Sequence, residues 1–117
     1  MQYLLMCCFN EAKWNSLAEA ERGEIMDDYG KLIQELKLSG RLLGGAKLDQ
    51  CSTAVTVRKK LGQSDYMDGP FAETKEQLGG YHVVECKDRE EAVAIALRIP
   101  TLTAGGAVEV RQILWAE

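Results

Sequence analysis

Histidine is almost missing from this chain of 117 residues: only His82 is present. Its four cysteines, Cys7, Cys8, Cys51 and Cys86, form no C-x-x-C pair. With one imidazole and no paired thiols, no zinc-ligand spacing can be assembled, so neither a metal nor another cofactor is expected. Basic runs are also missing, and the net charge is −4. A chain of that balance has nothing to track a phosphate backbone, which argues against nucleic acid as a partner. No apolar stretch approaches the roughly 18 residues a membrane span requires. The apolar run at residues 3–9 begins almost at once, with no basic segment ahead of it, so it reads as a strand and not as a signal peptide. Unpaired thiols without an export signal point to the cytoplasm.

What is present fits one α+β domain over residues 1–117, long enough to bury a core unaided. Residues 2–9 alternate Tyr3, Leu5, Cys7 and Phe9 against Leu4, Met6 and Cys8. Both faces of this first strand are apolar, so both need cover: helices on one side and, on the other, a second subunit. Cys7 and Cys8 then point to opposite faces and do not make a redox pair. Ser16 followed three residues later by Glu19 resembles a capping box opening a helix. Ile25, Met26, Tyr29, Leu32, Ile33 and Leu36 supply that helix with its apolar stripe, and Gly40 ends it. Residues 41–48 read as a short strand with a kink or bulge at Gly44-Gly45. Residues 52–59 form another strand, and Leu61-Gly62-Gln63 turns it back through residues 65–67. After a loop over residues 68–79, residues 80–86 read as a strand. Asp88 and Glu91 then cap a second helix, which Pro100 ends, and residues 108–115 form the last strand. This order is the ferredoxin-like β-α-β-β-α-β plan with an extra hairpin strand.

The loop holds the densest chemistry. Asp68-Gly69-Pro70 is turn chemistry, but Asp68, Glu73, Lys75 and Glu76 are more charges than a turn needs. Asp68, Glu73 and Lys75 are therefore the candidate catalytic groups. Arg58 ends the third strand, while Glu109 and Arg111 share one face of the last. A sheet face bearing these three and His82 would be polar, serving either as a pocket for a small polar or anionic ligand or as a set of cross-strand ion pairs. Arg58, Arg111, Tyr29 and His82 are the candidate ligand-binding residues. His82 has the titration range of a general base, although a packed strand histidine explains it equally. Tyr29 sits on the helix stripe, its hydroxyl reaching the edge.

The stretch DGPFAETKEQLGGY at residues 68–81 is similar to the defining motif of DGPF-type proteins within the YCII-related family. The opening MQYLLMCCFNEAKW, the segment SGRLLGGAKL, the TAVTVR strand and the closing GGAVEVR fit the same pattern. The resemblance implies a homodimer in which two ferredoxin-like sheets meet face to face as an α/β barrel. It also implies a histidine on the first helix and an aspartate before the proline that ends the second. Tyr29 and Ile99 stand in those places here. Any chemistry therefore falls to other groups, the loop residues with Arg58 and Arg111. DGPF proteins are also associated with extracytoplasmic-function sigma factors, which implies a non-catalytic regulatory module as the competing role. Its mark would be an exposed apolar patch beyond the homodimer contact. In the plainest reading, the motif only folds the loop.

Overall fold

A computed structural model describes residues 1–70 and 76–115. Four strands, β1 (Gln2–Phe9), β2 (Leu42–Lys47), β5 (Gln77–Glu85) and β6 (Ala107–Gln112), form one antiparallel sheet in the order β2-β5-β1-β6. Two helices, α2 (Glu19–Leu38) and α3 (Arg89–Ala96), cover one face, which yields the ferredoxin-like arrangement. A third helix, α1 (Glu11–Ser16), precedes them. The remaining strands, β3 (Val55–Lys60) and β4 (Gln63–Asp68), pair only with each other. The expected extra hairpin strand is thus one half of a separate two-stranded ribbon. Leu61 and Gly62 both have positive φ, at 52° and 79°, as a two-residue hairpin turn between paired strands demands.

Alternation along β1 organises the core. Tyr3, Leu5 and Cys7 are buried against the helices, joined by Val84 of β5, Leu32 and Leu36 of α2, and Ala92, Ile95 and Ala96 of α3. The intervening Leu4, Met6 and Cys8 are half-buried on the opposite face, beside Tyr81 and Val83. No helix covers that side among the described residues. The radius of gyration is 16.0 Å, against about 13 Å for a compact chain of this length.

Local signals held in places and moved in others. Gly40, at φ 73°, ends α2 with the amide of Gly40 bonded to Lys37 O and that of Arg41 to Leu36 O, both near 3.0 Å. This is the Schellman closure that a C′ glycine permits. Asp88 caps α3 by accepting from the Glu91 amide at 2.9 Å. The Gly44 bulge is present, with a register shift between Leu42 and Gly44. Ser16, however, does not open the long helix. Asn10 starts α1 by accepting from the Lys13 amide, and the Ser16 hydroxyl donates back to Lys13 O at 2.6 Å, closing it. The chain is extended at Leu17 and Ala18, and α2 begins at Glu19 with no side-chain cap. The last strand stops at Gln112 because its neighbour β1 begins at Gln2, leaving one further bond, from the Ile113 amide to Gln2 O.

Candidate functional site

Directly paired residues on neighbouring antiparallel strands project to the same face. His82 pairs with Leu5, so its ring lies on the helix-covered side. Tyr29 is three residues before Leu32 on the buried stripe of α2 and meets it there. The Tyr29 hydroxyl is hydrogen-bonded to His82 Nε2, with ring centroids 5.6 Å apart. Cys7 Sγ lies 3.6 Å from the same hydroxyl. The three polar groups thus form a short chain, thiol to phenol to imidazole, where the core gives way to a cavity.

That cavity has a volume of about 170 Å³. Cys7 and Phe9 of β1, Trp14 of α1, Met26 and Tyr29 of α2, and Gly80 and His82 of β5 contribute to its walls, with Lys47 at the end of β2. Phe9 and Trp14 meet edge to face, centroids 6.3 Å apart. Two glycines make room. At Gly45 a Cβ would lie 2.8 Å from His82 Nδ1, so the strand backbone lets the imidazole sit against it. At Gly79 a Cβ would lie 1.9 Å from Cε1 of Phe9. Gly79 is the unpaired residue of a bulge, since Cys7 pairs with Gly80 and Cys8 with Leu78. Gly79, read as the end of a loop, is therefore strand, and its bare backbone is the shelf on which the Phe9 ring rests. Gly79→Ala is expected to push that ring off its shelf, costing about 1–3 kcal/mol as an overpacking change. Thermal melts check this, and in a Phe9→Ala background the penalty should largely vanish.

Burial fixes the protonation states. It lowers the pKa of His82 below the usual imidazole value and raises that of Tyr29 well above the usual phenol value, with the Cys7 contact adding to the second shift. Burial also raises the Cys7 thiol, partly offset by its bond to Tyr29. At neutral pH the site therefore holds a neutral imidazole, a protonated phenol and a protonated thiol. A neutral imidazole accepts a proton and its phenol partner gives one, so the pair has both halves of acid–base chemistry without a buried net charge.

The other sequence candidates lie elsewhere. Arg111 pairs with Leu4, so it projects from the uncovered face, opposite to His82, where it binds Glu109 at 2.9 Å. Arg58 belongs to the ribbon, across from Asp65. The four residues imagined on one polar sheet face are thus divided among three surfaces. Asp68 is exposed at the end of β4, opposite Val55. Glu73 and Lys75 lie outside the described residues. Sequence reading named Tyr29 and His82 but not their pairing, and it missed Phe9, Trp14 and Lys47 as cavity residues. The odd-numbered phase shared by Leu5, Cys7 and Phe9 was the available signal for Phe9. Among the described residues, no group of three His, Cys, Asp or Glu side chains is placed to hold a metal ion. No helix among the described residues is long and apolar enough to cross a membrane.

Comparison with known proteins gives the fold a context. A solved 5-chloro-2-hydroxyhydroquinone dehydrochlorinase from Burkholderia phenoliruptrix AC1100, in complex with 2,5-dihydroxybenzoquinone, superposes with a TM-score of 0.51 at 16% identity. The match covers 100% of this chain and 95% of that one. An uncharacterised protein of Rhizobium meliloti (strain 1021), R00369, is 32% identical over 114 residues, 97% of this chain and 92% of its own. The model of the YCII-related domain matches residues 1–116. With its whole length matched, the chain belongs to the YCII-related family.

Proposed function

We propose that this protein is an enzyme that moves a proton to or from a small, hydroxyl-bearing ring compound, with Tyr29 and His82 as the transferring pair. The observation that carries this reading is the hydrogen bond between Tyr29 and His82 at the wall of a mostly apolar cavity. A cavity of roughly 150 Å³ lined by apolar side chains admits benzene, so about 170 Å³ suits a single six-membered ring. The acid–base pair is then the main polar feature such a ring would meet. The resemblance described above implies a histidine at the place of Tyr29. Here the imidazole comes from β5 instead, and Tyr29 is its partner. Where the resemblance implies an aspartate, the chain has Ile99, which is buried in the core.

The proposal extends to assembly. Leu4, Met6, Cys8, Tyr81 and Val83, beside the Arg111–Glu109 pair, make a largely apolar sheet face that no helix of the described residues covers and that a second copy would cover as a dimeric barrel. The likeness of residues 68–81 to the DGPF motif supports a position in the DGPF-type subgroup as part of the same proposal. Asp68, Glu73 and Lys75 precede Gly79 and Gly80 in the sequence, and the proposal keeps them as auxiliary acid–base candidates.

The similar dehydrochlorinase is named for a hydroxyhydroquinone, and its complex holds a dihydroxybenzoquinone. Polyhydroxylated six-membered rings are therefore the first probes. Incubation of 1,2,4-trihydroxybenzene with the protein in D₂O under nitrogen should accelerate exchange of ring hydrogens, seen as loss of proton NMR signals. Tyr29→Phe keeps the ring and removes the hydroxyl, and should slow the exchange at least tenfold. Equal exchange rates with and without protein, for this and related hydroxylated rings, would overturn the proposal.

A further inference from the structure

We infer that the ring compound taken by this cavity carries an anionic group, such as a carboxylate, held by Lys47 at the end away from Tyr29 and His82. The inference rests on the proton-transfer reading above and adds the class of substrate.

Lys47 ends β2, paired with Gly80, and lines two adjoining spaces. One is the apolar chamber. The other, of about 110 Å³, is more polar and is bounded by Glu11, Asn15, Asp49 and Gln50. Phe9, Trp14 and Gly79 are common to both, so the two spaces meet at the aromatic pair and the lysine. Carboxylates stand nearby but are engaged otherwise. Glu11 accepts from the Cys51 amide at 2.9 Å and from its thiol at 3.3 Å, and Asp49 accepts from the Gln50 amide at 2.8 Å. The ion pairs of the described residues join Met1 to Glu85, Arg41 to Glu91, Arg98 to Glu35 and Arg111 to Glu109, and Lys47 enters none of them.

Lys47, which enters no ion pair among the described residues, is then the cation that an anionic group would meet at the neck of the apolar cavity. Burying a carboxylate in the chamber without a partner is costly and would be avoided by protonation. At the neck the anion stays hydrated on one side and meets Lys47 on the other. The ring then lies against Phe9 and Trp14, and a hydroxyl opposite the anion points inward to the phenol–imidazole pair.

Titration of Trp14 fluorescence with 4-hydroxybenzoate and its neutral isostere 4-hydroxybenzamide separates the charge from the ring. A Trp115→Phe background removes the other tryptophan, which is exposed. The benzoate should bind at least tenfold tighter than the benzamide. Lys47→Met should erase that preference while leaving benzamide affinity within about twofold. Lys47 is exposed, so the substitution leaves the core intact. Equal affinities in the parent protein, or a preference that survives Lys47→Met, would overturn the inference while the proton-transfer reading stands on its exchange assay. If neither compound binds, the aromatic-acid inference fails outright, and exchange on trihydroxybenzene still decides the reading beneath it.

Discussion

Replacing His82 with glutamine is expected to slow proton transfer on a hydroxylated ring by about 10²–10⁴-fold, the usual worth of a positioned acid or base. Glutamine keeps a hydrogen-bonding group near the Tyr29 hydroxyl but cannot take up a proton at neutral pH. Substrate affinity should change far less than turnover, because the cavity walls are untouched. The pH profile gives a second readout. Burial lowers the His82 pKa, so the parent protein should hold its activity down through neutral pH and lose it only below the ordinary imidazole value of about 6.5. Burial raises Tyr29, which moves any alkaline limb above the ordinary phenol range near 10. The same shift acts on stability. As pH falls through about 6.5 the unfolded chain binds a proton at His82 while the folded chain resists. The stabilisation is therefore full above that pH and declines below it. His82→Gln should lose this acid-side dependence in urea titrations across pH 5–8. A variant with parental turnover and an unchanged acid limb would remove His82 from the chemistry.

Much of this architecture was legible in the sequence because it depends on local rules. The alternation of residues 2–9, the stripe from Ile25 to Leu36, the glycine at position 40 and the Asp88 cap each have a short-range physical cause, and each appears where expected, save that Met26 of the stripe is exposed. The Ser16 expectation failed because Ser16 is taken up in closing α1, the short helix that Asn10 opens, and the chain runs extended through Leu17 and Ala18 before α2 starts at Glu19. The site was harder. Tyr29 and His82 are 53 residues apart, and their meeting follows from the register that sets His82 opposite Leu5. A one-residue slip would turn His82 to the other face. Gly79 sets part of that register through its bulge, and sequence reading took it as loop. Charge-rich segments drew attention to Asp68 and Arg111, whereas the enclosed space is lined by residues that look like core.

Leu5→Ala is expected to lower stability by about 2–5 kcal/mol, whereas a change at the adjacent Leu4 should act on assembly. Leu5 has no exposed surface and sits on a central strand of the sheet, so truncation removes buried methyl groups and leaves a cavity among Tyr3, Val84 and the helices. Its urea midpoint should fall without a change in slope. A loss below about 1 kcal/mol would mean that the core closes over the gap and packs less tightly there than the burial indicates. Leu4 points the other way, between Val83 and Arg111 on the sheet face that no helix covers. A carboxylate placed there is tolerable in a single copy, where the side chain is only half-buried, but between two copies it would be desolvated beside an arginine already paired with Glu109. Leu4→Asp should therefore leave the far-ultraviolet spectrum intact and halve the mass measured by sedimentation. A parent protein that sediments as a monomer at tens of micromolar would end the dimeric part of the proposal. The Tyr29–His82 cavity would be unaffected, because residues of one chain build it from the helix-covered side. Opposite phases of one strand thus separate two quantities, the stability of the fold and the affinity of the assembly.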